Sequence, residues 1–298
     1  MPDITPSHFT SIGVIGRLDS EKAVYSLERL TAYLESRNVE VILEEGTASV
    51  LSQKGFDVVD KTELGKRCDL VIVVGGDGSM LSAASQLARY NVPLLGVNQG
   101  RLGFLTDITP DAIEPLVGDV LEGKYLKETR FMLGMSVIRN GETIGTGEAL
   151  NDVVVHPGKF IRMIEFALHI DDQFVYNQRS DGIIISTPTG STAYALSAGG
   201  PLVHPRMDAI ALVPMNPHTL SSRTIVVDGS SEIKLVIGEN NSAFPHVTCD
   251  GHSHVVTEPG DEIHVHKHPW KLHLIHPLNH NFYDTCRSKL GWQTQYTQ

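Results

Sequence analysis

One carboxylate stands in a run of glycines, Gly75-Gly76-Asp77-Gly78. A glycine turn that opens a helix gathers backbone N–H groups around an anion, with no side chain in the way. A carboxylate in such a cradle is repelled by phosphate unless it has a task. It can hold a cation that also binds phosphate, or take a proton from an attacking hydroxyl. Both tasks belong to phosphoryl transfer. The competing reading is a tight turn that needs glycines, with Asp77 capping the helix. The tetrapeptide alone does not separate the two.

A second stretch also offers chemistry. Asp181 to Gly200 reads D-G-I-I-I-S-T-P-T-G-S-T-A-Y-A-L-S-A-G-G. Ser186, Thr187, Thr189, Ser191, Thr192 and Ser197 supply donors and acceptors, and Tyr194 a face for stacking. A neutral polar loop of this kind suits ribose, adenine and phosphate together. Solvated surface loops share the composition, but so few charges in twenty residues favour a ligand.

The elements that must position these residues fall into two textures. Up to about residue 105, strand and helix alternate. Ser11–Ile15, Val39–Leu43, Leu70–Val74 and Val92–Val97 read as strands, and Ser20–Arg37 as a helix burying Ala23, Leu27, Leu30 and Leu34. The helix after Asp77 offers Met80, Leu81, Ala84, Leu87 and Ala88 as its buried face. Strands separated by helices predict right-handed crossovers and a Rossmann-like parallel sheet. Ligands of such sheets sit at the carboxyl ends of the strands. Gly75–Gly78 lies at one end; Asn98 to Phe104 lies at the next and should face the same crevice. Thr109–Gly123 reads as a helix, capped by Thr109 and closed by Gly123, which Pro115 should kink early.

Beyond Arg130 the signals are short strands and turns. Asn140-Gly141 and Asp171-Asp172 mark hairpins. Strands are expected at Phe131–Arg139, Ile164–Ile170, Phe174–Tyr176, Ile210–Val213, Thr224–Val227, Glu232–Ile237, Pro245–Cys249, Glu262–Val265 and Leu272–Ile275. The fold class is therefore α/β plus all-β, with an antiparallel β-sandwich as the second domain. The domains are expected at 1–105, with the tail 279–298 packing back on it, and at 106–278.

Composition narrows the function. A net charge of −11 argues against non-specific binding to nucleic acid or membrane, both polyanionic. Three scattered cysteines suggest neither a disulfide framework nor a cysteine metal site. No apolar stretch reaches membrane-spanning length, and Met1–Thr10 lacks the pattern of a signal peptide. The expectation is a reduced, cytoplasmic protein. Gly118 to Lys124 imitates a P-loop, but Tyr125 replaces the magnesium-binding Ser/Thr. His264, His266 and His268 alternate along a strand and read as a solvated face rather than a zinc site. No G-x-S-x-G elbow or G-x-G-x-x-G fingerprint occurs.

Together, G-G-D-G after an apolar strand, N-x-G-x-L-G-F-L at Asn98–Leu105, and D-G-x-I-x-S-T-P-T-G-S-T-A-Y at Asp181–Tyr194 resemble the NAD kinases. Asn151-Asp152, Ser197–Pro201 and Leu290-Gly291-Trp292 add to the likeness, which runs in order along nearly the whole chain. G-G-D-G alone is shared with lipid and sugar kinases; the S-T-P-T-G-S-T-A-Y stretch is far more specific. The resemblance implies transfer of the γ-phosphate of ATP to the 2′-hydroxyl of the adenosine ribose of NAD. It implies ATP as co-substrate, a divalent metal, usually magnesium, and a homodimer or homotetramer. Asp77 would accept the hydroxyl proton. Gly75, Gly76 and Gly78 would donate N–H groups to ATP phosphate, and Gly78 would also let the backbone approach NAD. Phe104 would border adenine. Asn151 and Asp152 match an Asn-Glu pair that contacts the dinucleotide, the acid here one methylene shorter. Arg179 and Asp181 would lie toward the nicotinamide half. Thr192, Ala193, Tyr194, Ala195, Leu196 and Ser197 would line the adenosine pocket. His252 stands where the resemblance has the amide of D-G-Q, and Arg162 where a contact from a neighbouring subunit is expected.

Two functional classes fit: a kinase acting on NAD, and a non-catalytic dinucleotide-binding regulator on the same fold. Asp77 separates them, because a pure binder gains nothing from a carboxylate beside phosphate.

Overall fold

The structure, a computed structural model, describes residues 9–16, 21–51, 55–99, 103–159, 162–241 and 244–292. Residues 100–102 of the Asn98–Leu105 motif and Ser20, the expected start of the first helix, lie outside them. The chain forms two compact units, one reaching Thr129 and taking in the chain from Leu272 onward, the other Arg130–Lys271.

The first unit carries β1 (Ser11–Gly16), α1 (Glu21–Ser36), β2 (Glu40–Glu44), α2 (Glu45–Ala48), β3 (Asp57–Val59), α3 (Lys61–Arg67), β4 (Leu70–Val74), α4 (Asp77–Leu87), β5 (Leu94–Val97) and α5 (Ile113–Leu121). Its strands run parallel in the order β3-β2-β1-β4-β5. The five β4 residues are all buried, as an unbroken apolar run between two helical layers must be. Helix α1 buries the expected Ala23, Leu27, Leu30 and Leu34, together with Ser26 and Thr31. Helix α4 buries Met80, Ala83, Ala84 and Leu87, while Leu81 is only half-buried.

The segment after Thr109 departs from the single kinked helix expected. A 3-10 turn, Pro110–Ala112, precedes α5, which begins at Ile113. Pro115 thus falls in the first turn of the α-helix, where its missing N–H costs nothing. Gly123, at φ 80°, closes the segment. Ile113, Val117, Val120 and Leu121 pack with Val14, Leu27 and Ile72. That contact carries the first unit past the expected boundary at 105, since α5 has its apolar partners there.

The rest of the chain forms β6 (Tyr125–Arg139), β7 (Glu142–Ala149), β8 (Asp152–His156), β9 (Ile164–Ile170), β10 (Gln173–Ser180), β11 (Gly182–Ser186), α6 (Tyr194–Ser197), β12 (Ala209–Met215), β13 (Ile225–Asp228), β14 (Ile233–Ile237), β15 (His246–Cys249), β16 (His252–Val256), β17 (Glu262–Pro277) and α7 (Phe282–Leu290). In the second unit, antiparallel strands in the order β13-β12-β11-β8-β15-β16 make one sheet. Strands β10, β9, β14 and the start of β17 pair antiparallel in another. Their inward residues share one core, with Val153, Ile183, Leu212 and Val247 facing Phe166, Leu168, Leu235 and Ile263. Both hairpins form with two positive-φ residues, Asn140 and Gly141, then Asp171 and Asp172. The two strands expected at Glu262–Val265 and Leu272–Ile275 are one, β17. Its last residues return to the first unit, where Leu274 and Ile275 pair parallel with Leu94 and Leu95 of β5.

Candidate functional site

In the first unit, β4 and β5 end side by side, with Val74 opposite Val97. The Gly75 N–H donates to Val97 O at 2.8 Å, and Gln99 Nε2 to Val74 O at 3.2 Å. The glycine turn and the Asn98 loop therefore share one carboxyl edge. Gly76 is the N-cap of α4, and no side chain caps that helix. Asp77 is the first helical residue and does not cap, which disposes of the capping reading. Its carboxylate instead accepts from Phe104 N at 2.9 Å and Leu105 N at 3.0 Å. Two backbone donors fix both oxygens in direction.

Gly76 and Gly78 need an explanation other than packing. A Cβ at either would meet no atom within 4 Å, and neither has positive φ. Inside the helix, at Gly78, glycine costs about 1 kcal/mol relative to alanine, whereas at the N-cap Gly76 it is favoured over alanine. What it leaves is bare backbone facing open space, the condition for close approach by a ligand. Gly103 is the reverse case. A Cβ there would lie 2.0 Å from Asp77 Oδ1, so the loop can reach the carboxylate only with glycine. Nothing in the spacing of G-x-L-G-F-L singles this glycine out from its neighbours.

In the second unit a cavity of about 700 Å³ is lined by Asn151, Asp152, Arg162, Asp181, Ala193 and Tyr194 among others. Six of the residues expected from sequence are thus brought together. Asp152 opens β8 and is buried. Burial and the neighbouring Asp250 push its carboxyl up to about 7. Asp250, at φ 51° on the turn after β15, accepts the N–H groups of Leu150, Asn151 and Asp152 at 2.8, 2.8 and 3.1 Å. Burial raises the Asp250 pKa even against these donors. Asp181 accepts from Asn216 Nδ2 at 2.9 Å. Sequence reasoning passed over Asn216, His156, Met215 and Thr248, which also line the cavity. It passed over β8 too, although Val153-Val154-Val155 is a β-branched run.

The hydroxyl-rich stretch divides. Ser186, Thr187, Thr189 and Ser191 are buried. Thr187 Oγ1 donates to Leu150 O at 2.5 Å, and Ser191 Oγ bonds both Pro188 O and the Val203 backbone. Thr187 N donates to Asn151 O at 2.8 Å. A Cβ on Gly190 would come within 2.1 Å of that same oxygen. The hydroxyls of Ser186, Thr187 and Ser191, expected to face a ligand, are spent on folding the loop beneath Asn151, and that of Thr189 accepts from Arg130 Nη1 at 3.4 Å. Ala193 and half-exposed Tyr194 are the members that reach the cavity. Ala195 packs on Val154, Ile184 and Ala211, and Ser197 is exposed. Thr192 and Leu196 are half-buried outside the cavity lining, and His252 sits exposed beyond Gly251. Arg179, on β10, lines a second cavity with Arg162 and Glu165.

Among the described residues, the first unit holds a further cluster. Asp107 accepts from Nδ1 of His276 and, at 2.9 Å, from Nδ1 of His280. The two imidazoles stack with centroids 4.0 Å apart.

Comparison with known proteins gives the family of the chain. Residues 12–125 match the family model described as the ATP-NAD kinase N-terminal domain, and 150–277 the ATP-NAD kinase C-terminal domain. The NAD kinase of Saccharophagus degradans is 62% identical over 96% of this chain and 97% of its own. That of Hahella chejuensis is 61% identical over 97% and 98%. Among solved structures, an NAD kinase from Archaeoglobus fulgidus in complex with ATP matches with a TM-score of 0.72 and 27% identity, over 93% of this chain and 99% of that one. Yeast NADH kinase complexed with NADH matches in fold with a TM-score of 0.88, over 98% and 90%, at 24% identity.

Proposed function

The chain belongs to the NAD kinase family, and from that premise we propose that it transfers the γ-phosphate of ATP to the 2′-hydroxyl of the adenosine ribose of NAD, with Asp77 accepting the hydroxyl proton. The observation that supports this reading most is the carboxylate of Asp77, held by two backbone N–H groups at the mouth of a glycine turn. A regulator that only bound a dinucleotide would have no use for it.

The reaction has a loose transition state, so alignment and charge neutralisation do most of the work. The backbone of Gly75, Gly76 and Gly78 donates N–H groups to ATP phosphate. Gly78 gives NAD its close approach, and Phe104 borders the adenine. Asp77 orients the 2′-hydroxyl and receives its proton as the O–P bond forms; general-base help of this kind is worth roughly 10²–10⁴-fold. A divalent metal such as magnesium would enter with the phosphates of ATP and would supply charge neutralisation there. The donor set fits an ion carried chiefly by phosphate, because Asp77 is the one carboxylate in the turn.

For NAD, the 700 Å³ cavity supplies Asn151 and Asp152 for ribose hydroxyls and Tyr194 for stacking on a base. Ala193 borders the cavity beside Tyr194, and Thr192, Ala195, Leu196 and Ser197 back that wall from outside the lining. Asp181, with Arg179, serves the nicotinamide half, and His252 takes the place of an amide contact. Arg162 is the residue that meets a neighbouring subunit. The protein works in the cytoplasm as a homodimer or homotetramer, joined through the antiparallel domain. Its edge strand β10 exposes Phe174 and Val175, apolar surface that a monomer would leave wet. Light scattering at assay concentration reads the assembly; a fully active monomer would refute it. The activity is tested by incubation with ATP, magnesium and NAD and detection of NADP. No NADP formed by folded protein would overturn the reading.

A further inference from the structure

Asp107, His276 and His280 take no part in the chemistry assigned above, yet they meet two residues from the donors that hold Asp77. We propose that this buried cluster is a positioning device for Asp77, acting through the loop Gly103–Asp107; the proposal rests on the reading of Asp77 as proton acceptor.

The Asp77 carboxylate is aimed by N–H groups of Phe104 and Leu105, and a loop aims well only if it is itself fixed. Within the loop, Gly103 N donates to Thr106 O, and Asn98 Nδ2 to Thr106 Oγ1 at 2.9 Å. Where it crosses β5, a Cβ on Gly96 would stand 2.6 Å from Leu105 O, so it lies flat on the strand. Asp107 then anchors it. The side chain is 10% exposed and both oxygens are taken by imidazole N–H groups. Burial pushes the Asp107 carboxyl up, but the bonds from His276 and His280 outweigh it and hold the group well below the usual carboxylate range. Charge-assisted bonds are roughly twice as strong as neutral ones.

The histidines are themselves well held. His276 follows Ile275, which pairs with Leu95, so it extends from the strand beside β5. Its other nitrogen, Nε2, lies 3.7 Å from Glu128 Oε2, the further charged group facing the ring. His280 donates its backbone N–H to Pro277 O in the turn before α7 and stacks on His276. Phe282, the first residue of α7, braces the loop again, its ring 6.5 Å from that of Phe104. Hydrogen bonds join both imidazoles to Asp107, and His276 Nε2 is buried with no hydrogen-bond partner; the ligand atoms of the three side chains lie within 4.8 Å of one another. Sliding the loop breaks two buried bonds to Asp107, and the N–H groups at Phe104 and Leu105 move with it.

The test is a double-mutant cycle on turnover. Asp107→Asn keeps the shape but presents an amide donor to an imidazole donor. We expect kcat to fall about tenfold, within the cost of misplacing a catalytic group by a fraction of an ångström, while KM for NAD and for ATP stays within about twofold. In an Asp77→Asn background the same change should lower kcat no further, because there is no base left to aim. His276→Asn, whose amide N–H falls near the lost Nδ1, should keep most of the rate that His276→Ala loses. An equal drop in both backgrounds, or an unchanged kcat in Asp107→Asn, overturns the proposal. Normal turnover in Asp77→Asn alone instead overturns the reading beneath it. If Asp107→Asn fails to fold, His280→Gln at the edge of the cluster runs the same cycle. Failure of both to fold would make the cluster structural and end the proposal.

Discussion

Two regions of the molecule place an aspartate beside open space, and they treat it oppositely. At the glycine turn, Asp77 is half-exposed and receives two backbone N–H groups. In the second unit, Asp152 is buried beside Asp250, and the three nearby backbone N–H groups go to Asp250 instead. Asp152 is left with burial and a like neighbour, and its carboxyl rises to about 7. The lesson is that backbone donors decide the task. A carboxylate supplied with them is fixed in direction and free to act on a substrate. One denied them keeps unmet hydrogen-bonding capacity, which ribose hydroxyls could fill. Asp250, which lines the same cavity, spends its oxygens on these donors and holds the strand start that carries Asn151 and Asp152.

Breaking the first region should cost most. Asp77→Asn keeps size and both N–H neighbours while removing the base. Steady-state kinetics should show kcat lower by roughly 10²–10⁴-fold, with NAD affinity retained or tightened by the lost negative charge. Breaking the second region should spare turnover and damage binding. Tyr194→Ala removes the exposed ring at the cavity, and base stacking is worth roughly 1–3 kcal/mol. Calorimetry should find the NAD Kd raised accordingly; an unchanged Kd moves Tyr194 out of the site.

The smallest effect concerns stability and sharpens the contrast. With a folded-state pKa near 7 and an unfolded value of about 3.9, Asp152 binds its proton more tightly when folded. Its contribution is therefore fully present below about pH 4 and is lost as pH rises through 7. Asp152→Asn removes that loss. Without ligand, the variant should gain on the order of 1 kcal/mol over the parent at pH 8 relative to pH 5. Melting curves at the two pH values check this, and equal differences would place Asp152 in a solvated environment.

Local pattern made much of this legible in the sequence. The buried run Leu70–Val74, the α1 face and the Asn140-Gly141 hairpin follow from periodicity and turn chemistry, which act over a few residues. Asp77 stood out because a carboxylate among glycines has few other uses. Long-range pairings did not show. Asp250 meets the Leu150–Asp152 backbone, Gly103 meets Asp77, and Asp107 meets His276, each across a separation that no spacing rule encodes. The hydroxyls of Ser186–Ser191 misled for a related reason. Hydroxyls that satisfy buried backbone have the same composition as hydroxyls that await a ligand.

The central claim is that Asp77 is the base and not a metal anchor. Turnover of Asp77→Asn across a magnesium series, with NAD affinity and melting temperature read on the same preparation, tests it most directly. We predict a deficit of roughly 10²–10⁴-fold at every magnesium concentration, with affinity and melting temperature held. Near-normal turnover at low magnesium, or a rate restored by raising it, would contradict the account.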